Sequence, residues 1–216
     1  MPYVLDINTG KPKFYQRLND TPSFGGIKTK NNDGVEYLNT YWDDLRFPFM
    51  GQQLDTASGR IDYSYSELGI GFQNNTRYTE EPICMIVQMP HAWKLESAVH
   101  PHLHFIQNQN ASPNWMIEYR VYKNGAAVPS TWQKSIGSLV YSYTSGSIIQ
   151  KCIFTEIDMT GIDSVSSFID VKLYRDTGNA SSLFTGSDPY TGTAIAKEFD
   201  IHYEIDMPGS RDQYIK

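Results

Sequence analysis

Charged residues make up only 19% of this chain of 216 residues, and it has two cysteines. It also has no apolar run approaching the roughly 20 residues that a helix needs to cross a bilayer, so no membrane partner is expected. Lysine and arginine (18) are outnumbered by aspartate and glutamate (24), the net charge is -6, and no basic cluster is present. That excludes a general nucleic-acid binder, which must neutralise phosphates with a concentrated positive surface. The opening Met1-Pro2-Tyr3-Val4-Leu5-Asp6-Ile7-Asn8 has neither the basic nor the apolar stretch of a secretory leader. It sets the expectation of a protein made soluble in a cytoplasm. Cys84 and Cys152 both sit in apolar, strand-like runs, where free cysteine behaves as a small hydrophobe, and a bridge between them is not expected in a reducing compartment. Catalytic fingerprints are missing too. Thr144-Ser145-Gly146-Ser147 does not match the Gly-x-Ser-x-Gly of a nucleophile elbow, and there is no phosphate loop or dinucleotide motif. With no internal repeat, no linker within the body and no long amphipathic helical pattern, a helix-rich or two-domain body is excluded.

What is present is the texture of a β protein. Hydrophobic residues reach 40%, with 15 tyrosines and 10 phenylalanines among abundant Ser, Thr, Asn and Gly, which suits pleated, half-buried strands joined by turns. Residues 1–34 carry Pro2, Pro12, Pro22, Gly25-Gly26 and the turn signal Asn31-Asn32-Asp33-Gly34, and have little apolar periodicity. They read as an extended N-terminal arm, with Phe14, Tyr15 and Phe24 as candidate anchors on a partner. Residues 35–216 form the body. Strand signals cover 61–65, 83–89, 100–106, 115–122, 136–143, 148–157, 168–174 and 194–205, with an Asn124-Gly125 turn after the fourth. The run at 83–89 is continuously apolar and reads as a central strand. About eight strands with polar turns predict an antiparallel β-sandwich of jelly-roll type with an exposed C-terminal tail. The Gly, Ser, Thr and Asn-rich segment 176–193 reads as a long exposed loop, a length usually associated with function or mobility.

Three of the five histidines fall in His100-Pro101-His102-Leu103-His104. In a strand they share one face, and neighbours two apart, about 6.5 Å between Cα atoms, can converge on one ion. His102 and His104 are therefore the metal candidates, with any further ligand to come from His91, His202 or an acidic residue. His100 and His104 stand about 13 Å apart along the strand, too far to share a site easily. The cupin motif needs a Glu and a Gly soon after His-x-His, where this chain has Phe105-Ile106-Gln107-Asn108-Gln109. The favoured expectation is no metal, with the histidines packing against neighbours or lining a subunit interface through His100, His102 and His104.

Paired carboxylates are the signature of glycoside hydrolysis. Asp43 and Asp44 are adjacent, but in an extended strand they diverge, and Arg46 offers one of them an ion pair; a structural latch is the reading. Glu118, Glu156, Asp158, Asp170, Glu198, Asp200, Glu204 and Asp206 mostly occupy the polar half of alternating strands, where a solvated face puts them. Trp42, Trp93, Trp115 and Trp132 could form a sugar-stacking platform, but core packing is favoured.

Four segments together carry a resemblance: Trp42-Asp43-Asp44-Leu45-Arg46-Phe47-Pro48, Gln88-Met89-Pro90-His91, the histidine run from His100 to His104, and Ala196-Lys197-Glu198-Phe199-Asp200-Ile201-His202-Tyr203-Glu204-Ile205-Asp206 with Gly209-Ser210-Arg211. Most of residues 35–216 resembles a family of virion structural proteins of tailed bacteriophages and prophages. The resemblance implies a component of the head surface, as decoration or head fibre, or of the tail; it implies no catalytic residue and no cofactor. The first thirty or so residues fall outside it. The expectation is a non-enzymatic virion subunit docked through its arm and assembled in the host bacterial cytoplasm. Its partners would be copies of itself, a trimer being favoured, and capsid or tail proteins. Two alternatives are a tail-associated receptor- or carbohydrate-binding module using the 176–193 loop, and a cupin-like metal-dependent enzyme centred on His102 and His104.

Overall fold

The computed structural model describes residues 41–49, 67–74 and 82–206 in full, together with the backbone of five strands outside those stretches. The chain divides into two compact units, Met1–Asn39 and Thr40–Lys216. The first contains two antiparallel pairs, β1 (Val4–Leu5) with β2 (Pro12–Lys13) and β3 (Ile27–Lys30) with β4 (Gly34–Tyr37). The expected arm, residues 1–34, lies within this unit, and its proposed anchors Phe14, Tyr15 and Phe24 lie outside the described residues.

The second unit is an antiparallel β-sandwich, with no helix among the described residues. One sheet has four strands in the order β11 (Gln133–Ile136), β10 (Trp115–Tyr122), β14 (Phe168–Arg175) and β8 (Ile83–Gln88). The other runs β12 (Ser138–Leu139), β13 (Ile148–Ile153), β9 (Val99–Gln107), β15 (Ala194–Ile205), β7 (Gly69–Phe72) and β6 (Ile61–Ser64), and β5 (Tyr41–Pro48) also pairs with β15. Strands β8, β9 and β10 alternate between the sheets, as do β13, β14 and β15.

Alternation along each strand builds the core. Ile83, Met85 and Val87 of β8, Trp115, Ile117 and Tyr119 of β10, and Ile169, Val171 and Leu173 of β14 meet Leu103 and Phe105 of β9 and Phe199 and Ile201 of β15 in one apolar cluster. At its centre Trp115 receives Phe72 and Phe105 edge-on, with ring centroids 5.0 and 5.6 Å away. The chain passes from one sheet to the other at Gly137, between β11 and β12. A Cβ there would lie 2.2 Å from Cys152 Sγ, so only glycine fits this crossing.

Strand β15 carries a β-bulge that decides what the protein displays. Its register against β9 shifts between Ala196 and Glu198, which leaves Lys197 as the extra residue. Before the bulge the even residues Ala194 and Ala196 are buried in the core; after it the odd residues Phe199, Ile201 and Tyr203 are. A bulge re-aims side chains in this way because one extra residue inverts a period of two. The partner strand changes at the same place, from β7 along 194–196 to β5 along 198–205.

One expectation needs correction. The apolar run of β8 is not a central strand: it pairs only with β14 among the described residues, at the end of its sheet, and it exposes Cys84 and Ile86. The 176–193 segment is a largely exposed loop between the last two strands, as expected, and it is tied down at a few buried polar anchors. Arg175, fully buried, pairs through Nε with Asp188 Oδ2 at 2.7 Å and donates to the carbonyls of Phe72, Tyr190 and Gly192. Buried Asp176 accepts from the backbone N–H groups of Ala180 and Ser181, and the Tyr190 hydroxyl donates to Asn108 Oδ1 at 2.7 Å. A glycine- and serine-rich composition signals irregular backbone, but polar side chains tie this segment down.

Candidate functional site

Because Leu103 and Phe105 face the core, His100, His102 and His104 face outward from the seven-stranded sheet. The bulge turns Glu198, Asp200 and His202 of β15 to that same face. Register then sets His102 opposite Asp200, His104 opposite Glu198 and His100 opposite His202, while β5 brings Asp44 opposite His202. Three strands far apart in sequence thus gather four histidines and two aspartates on one patch.

The tightest part is a triangle. His102 Nε2 and His104 Nε2 are 3.2 Å apart, and Asp200 Oδ2 lies 3.3 Å from the first and 3.4 Å from the second. Although the patch is on an outer face, His102 and Asp200 are buried by their neighbours, and His104 is about one-third exposed, with side-chain accessibilities of 6%, 2% and 31% respectively. The other oxygen, Asp200 Oδ1, is buried and has no hydrogen-bond partner. Beside the triangle, the ring of His202 packs edge-on against that of His102 at 4.5 Å and its Nε2 meets Asp44 Oδ1 at 2.6 Å. Burial, which disfavours an imidazolium, holds His104 and His202 below the usual histidine range, against the opposing pull of Asp200 on the first and Asp44 on the second. Neutral imidazoles are the form that ligates metals.

Other expected residues fall in different places. His91, suggested as a further ligand, is outside the cluster, with its Nε2 3.1 Å from Ser166 Oγ. The acidic residue that spacing alone could not bring to His102 and His104 is Asp200. Of the three histidines expected at a subunit interface, His102 is buried within its own chain, which leaves His100 and His104 partly accessible. Asp43 and Asp44 do diverge: Asp43 accepts from the Tyr203 hydroxyl at 3.0 Å and Asp44 meets His202, so the latch closes onto β15 and not onto Arg46. Trp93 and Trp115 are core residues. Trp132 lies on the outer face of the four-stranded sheet, under the Arg120 guanidinium at 4.5 Å and the Lys172 ammonium at 3.9 Å. Trp42 is exposed and packs edge-on against His100 at 5.0 Å. The four do not form one stacking platform. Both cysteines are free; Cys152 is buried, and burial pushes its thiol far above the ordinary range, whereas Cys84 is exposed.

Compared with protein-family models and with curated protein sequences, the chain matches none.

Proposed function

We propose that this chain is a non-enzymatic structural subunit of a tailed-phage virion, a decoration or head-fibre component that works as a closed homo-oligomer. The observation that carries the proposal is strand β8. Its sequence Ile83-Cys84-Met85-Ile86-Val87-Gln88 has no charge and no proline, it stands at the end of its sheet among the described residues, and Ile86 is 69% exposed. Proteins that stay monomeric blunt such edges with lysine, proline or bulges. An apolar, unblunted edge supports pairing with a second copy of the same chain, and cyclic closure would remove the edge altogether. The interleaved strand order, β8-β14-β10-β11 against β15-β9-β13, supports reading the sandwich as a jelly roll, an architecture used by viral capsid proteins. The motif resemblance over most of residues 35–216 supplies the phage context, and the segment 1–34, with Phe14, Tyr15 and Phe24, is the proposed attachment to the particle.

Light scattering on the full-length protein tests the assembly. The expected mass is three times the 24.6 kDa of one chain, and Ile86→Lys should shift it to a monomer that keeps the β-sheet circular dichroism of the wild type. A wild-type monomer at tens of micromolar would overturn the assembly. Mass spectrometry of purified phage particles should find the chain, and removal of residues 1–34 should release it from particles while leaving the oligomer intact. Particles lacking the full-length chain would overturn the virion assignment.

A further inference from the structure

We infer that His102 Nε2, His104 Nε2 and Asp200 Oδ2 form a binding site for one divalent first-row transition-metal ion, held on the outer face of the seven-stranded sheet. Three donors each about 2.0–2.1 Å from one ion at tetrahedral angles stand about 3.3–3.4 Å from one another. The three separations here are 3.2, 3.3 and 3.4 Å. Two imidazoles and one carboxylate are the donor set of zinc sites and of non-haem iron sites.

Proton bookkeeping points the same way. With the carboxylate ionised and both imidazoles neutral, no placement of protons satisfies all three edges of the triangle. If both Nε2 atoms carry hydrogen, each donates to Asp200, but two N–H donors then confront each other across 3.2 Å. If one carries hydrogen, the other nitrogen and the carboxylate present lone pairs to each other across 3.3 or 3.4 Å. If neither does, all three edges repel. A cation at the centre turns the three lone pairs into ligands at once.

Asp200 makes the independent case. Its carboxylate is 98% removed from solvent, no Arg or Lys pairs with it among the described residues, and its Oδ1 has no hydrogen-bond partner. A buried carboxylate without a countercharge is strongly disfavoured, and a divalent ion supplies that charge. The bulge at Lys197 is what aims Asp200 out of the core toward the histidines. The site also differs from a cupin centre in position, since it lies outside the sandwich and not between its sheets. Three protein donors leave at least one coordination position for water or for a donor from another molecule, and the part-exposed His104 marks the solvent side.

The test uses full-length protein stripped with chelator, then titrated with Co2+, whose visible spectrum reports its ligation, and with Zn2+ by calorimetry. One ion per chain is expected. His104→Ala and Asp200→Asn should each weaken binding about 100-fold or more, beyond the 10–100-fold typical of outer-shell changes, whereas His91→Ala should bind as wild type does. Zn2+ should raise the wild-type thermal midpoint by about 5 °C or more at saturating concentration. Failure of the wild type to take up one equivalent, or equal uptake by His104→Ala, would overturn the site. If Asp200→Asn does not fold, His104→Ala, altered at the most exposed of the three ligands, still decides. A monomer that binds one ion would uphold this site while overturning the proposed assembly.

Discussion

Asp188 and Asp200 are two carboxylates with almost no access to solvent, at 1% and 2% of the side chain, and their surroundings differ in kind. In the segment after β14, Asp188 meets the guanidinium of Arg175 at 2.7 Å and also accepts from the backbone N–H of Tyr190 at 2.8 Å, while the other arms of Arg175 are taken up by carbonyls. On the outer face of the seven-stranded sheet, Asp200 meets only imidazole nitrogens through one oxygen and nothing through the other. Asp170, on the outer face of the four-stranded sheet, belongs with Asp188: Arg120 holds it with Nε and Nη2 at 2.8 and 2.7 Å, and the Tyr122 hydroxyl donates to it at 2.9 Å. Among the described residues the chain supplies countercharges for two of these carboxylates and none within ion-pair distance of the third, which the proposed metal ion would neutralise. A buried charge left without a partner is costly, so the two kinds of site should respond differently to substitution.

Substitutions should separate the two cases by size and by sign. The largest effect is expected for Arg175→Ala, which strands Asp188 as a buried, unpaired charge and frees the 177–192 segment; urea unfolding should show a loss of about 3–5 kcal/mol. Asp170→Asn, at a part-buried pair, should cost about 1–2 kcal/mol in the same assay, because Arg120 loses its ionic partner while an acceptor oxygen remains. Asp200→Asn in metal-free protein should change stability by less than about 1 kcal/mol, toward greater stability, because it removes a buried charge that has no partner. A loss above about 2 kcal/mol there would place Asp200 with Asp188 and erase the distinction. The smallest effect is expected at the edge strand: compared at a protein concentration low enough to dissociate the wild-type oligomer, Ile86→Lys should leave unfolding within about 0.5 kcal/mol of wild type.

Much of the framework is legible in the sequence. Trp115–Tyr122 and Ala194–Ile205 occupy the spans their alternation suggests, and the His-x-His-x-His spacing places three rings on one face, as a period of two requires. What stays hidden depends on pairing between distant segments. Nothing local says that Asp200 lies opposite His102, since that register is set by the β9 and β15 ladder and by the bulge at Lys197. The alternation of Ile195, Lys197, Phe199 and Ile201 even suggests the wrong inward residue at the start of β15, because the bulge reverses it. A continuous apolar run such as β8 reads as central because burial on both faces is the usual reason for one; an edge position with Ile86 outside is a feature of arrangement, not of composition. The anchors of the exposed 176–193 loop stay hidden because Asp176 and Asp188 are polar and Tyr190 is a lone aromatic among Gly, Ser and Thr, yet all three hydrogen-bond within the unit. The Tyr41–Pro48 strand was masked by its mixed charges, which make sense only against Tyr203 and His202.

The distinction between Asp188 and Asp200 is tested most directly by anomalous diffraction at the zinc edge, from crystals of the full-length protein stripped of metal and reloaded with one equivalent of Zn2+. The expected result is a single strong peak about 2.0–2.1 Å from His102 Nε2, His104 Nε2 and Asp200 Oδ2. A map without density there, and a carboxylate instead reached by a lysine or arginine, would show that the chain neutralises Asp200 itself and would contradict the account.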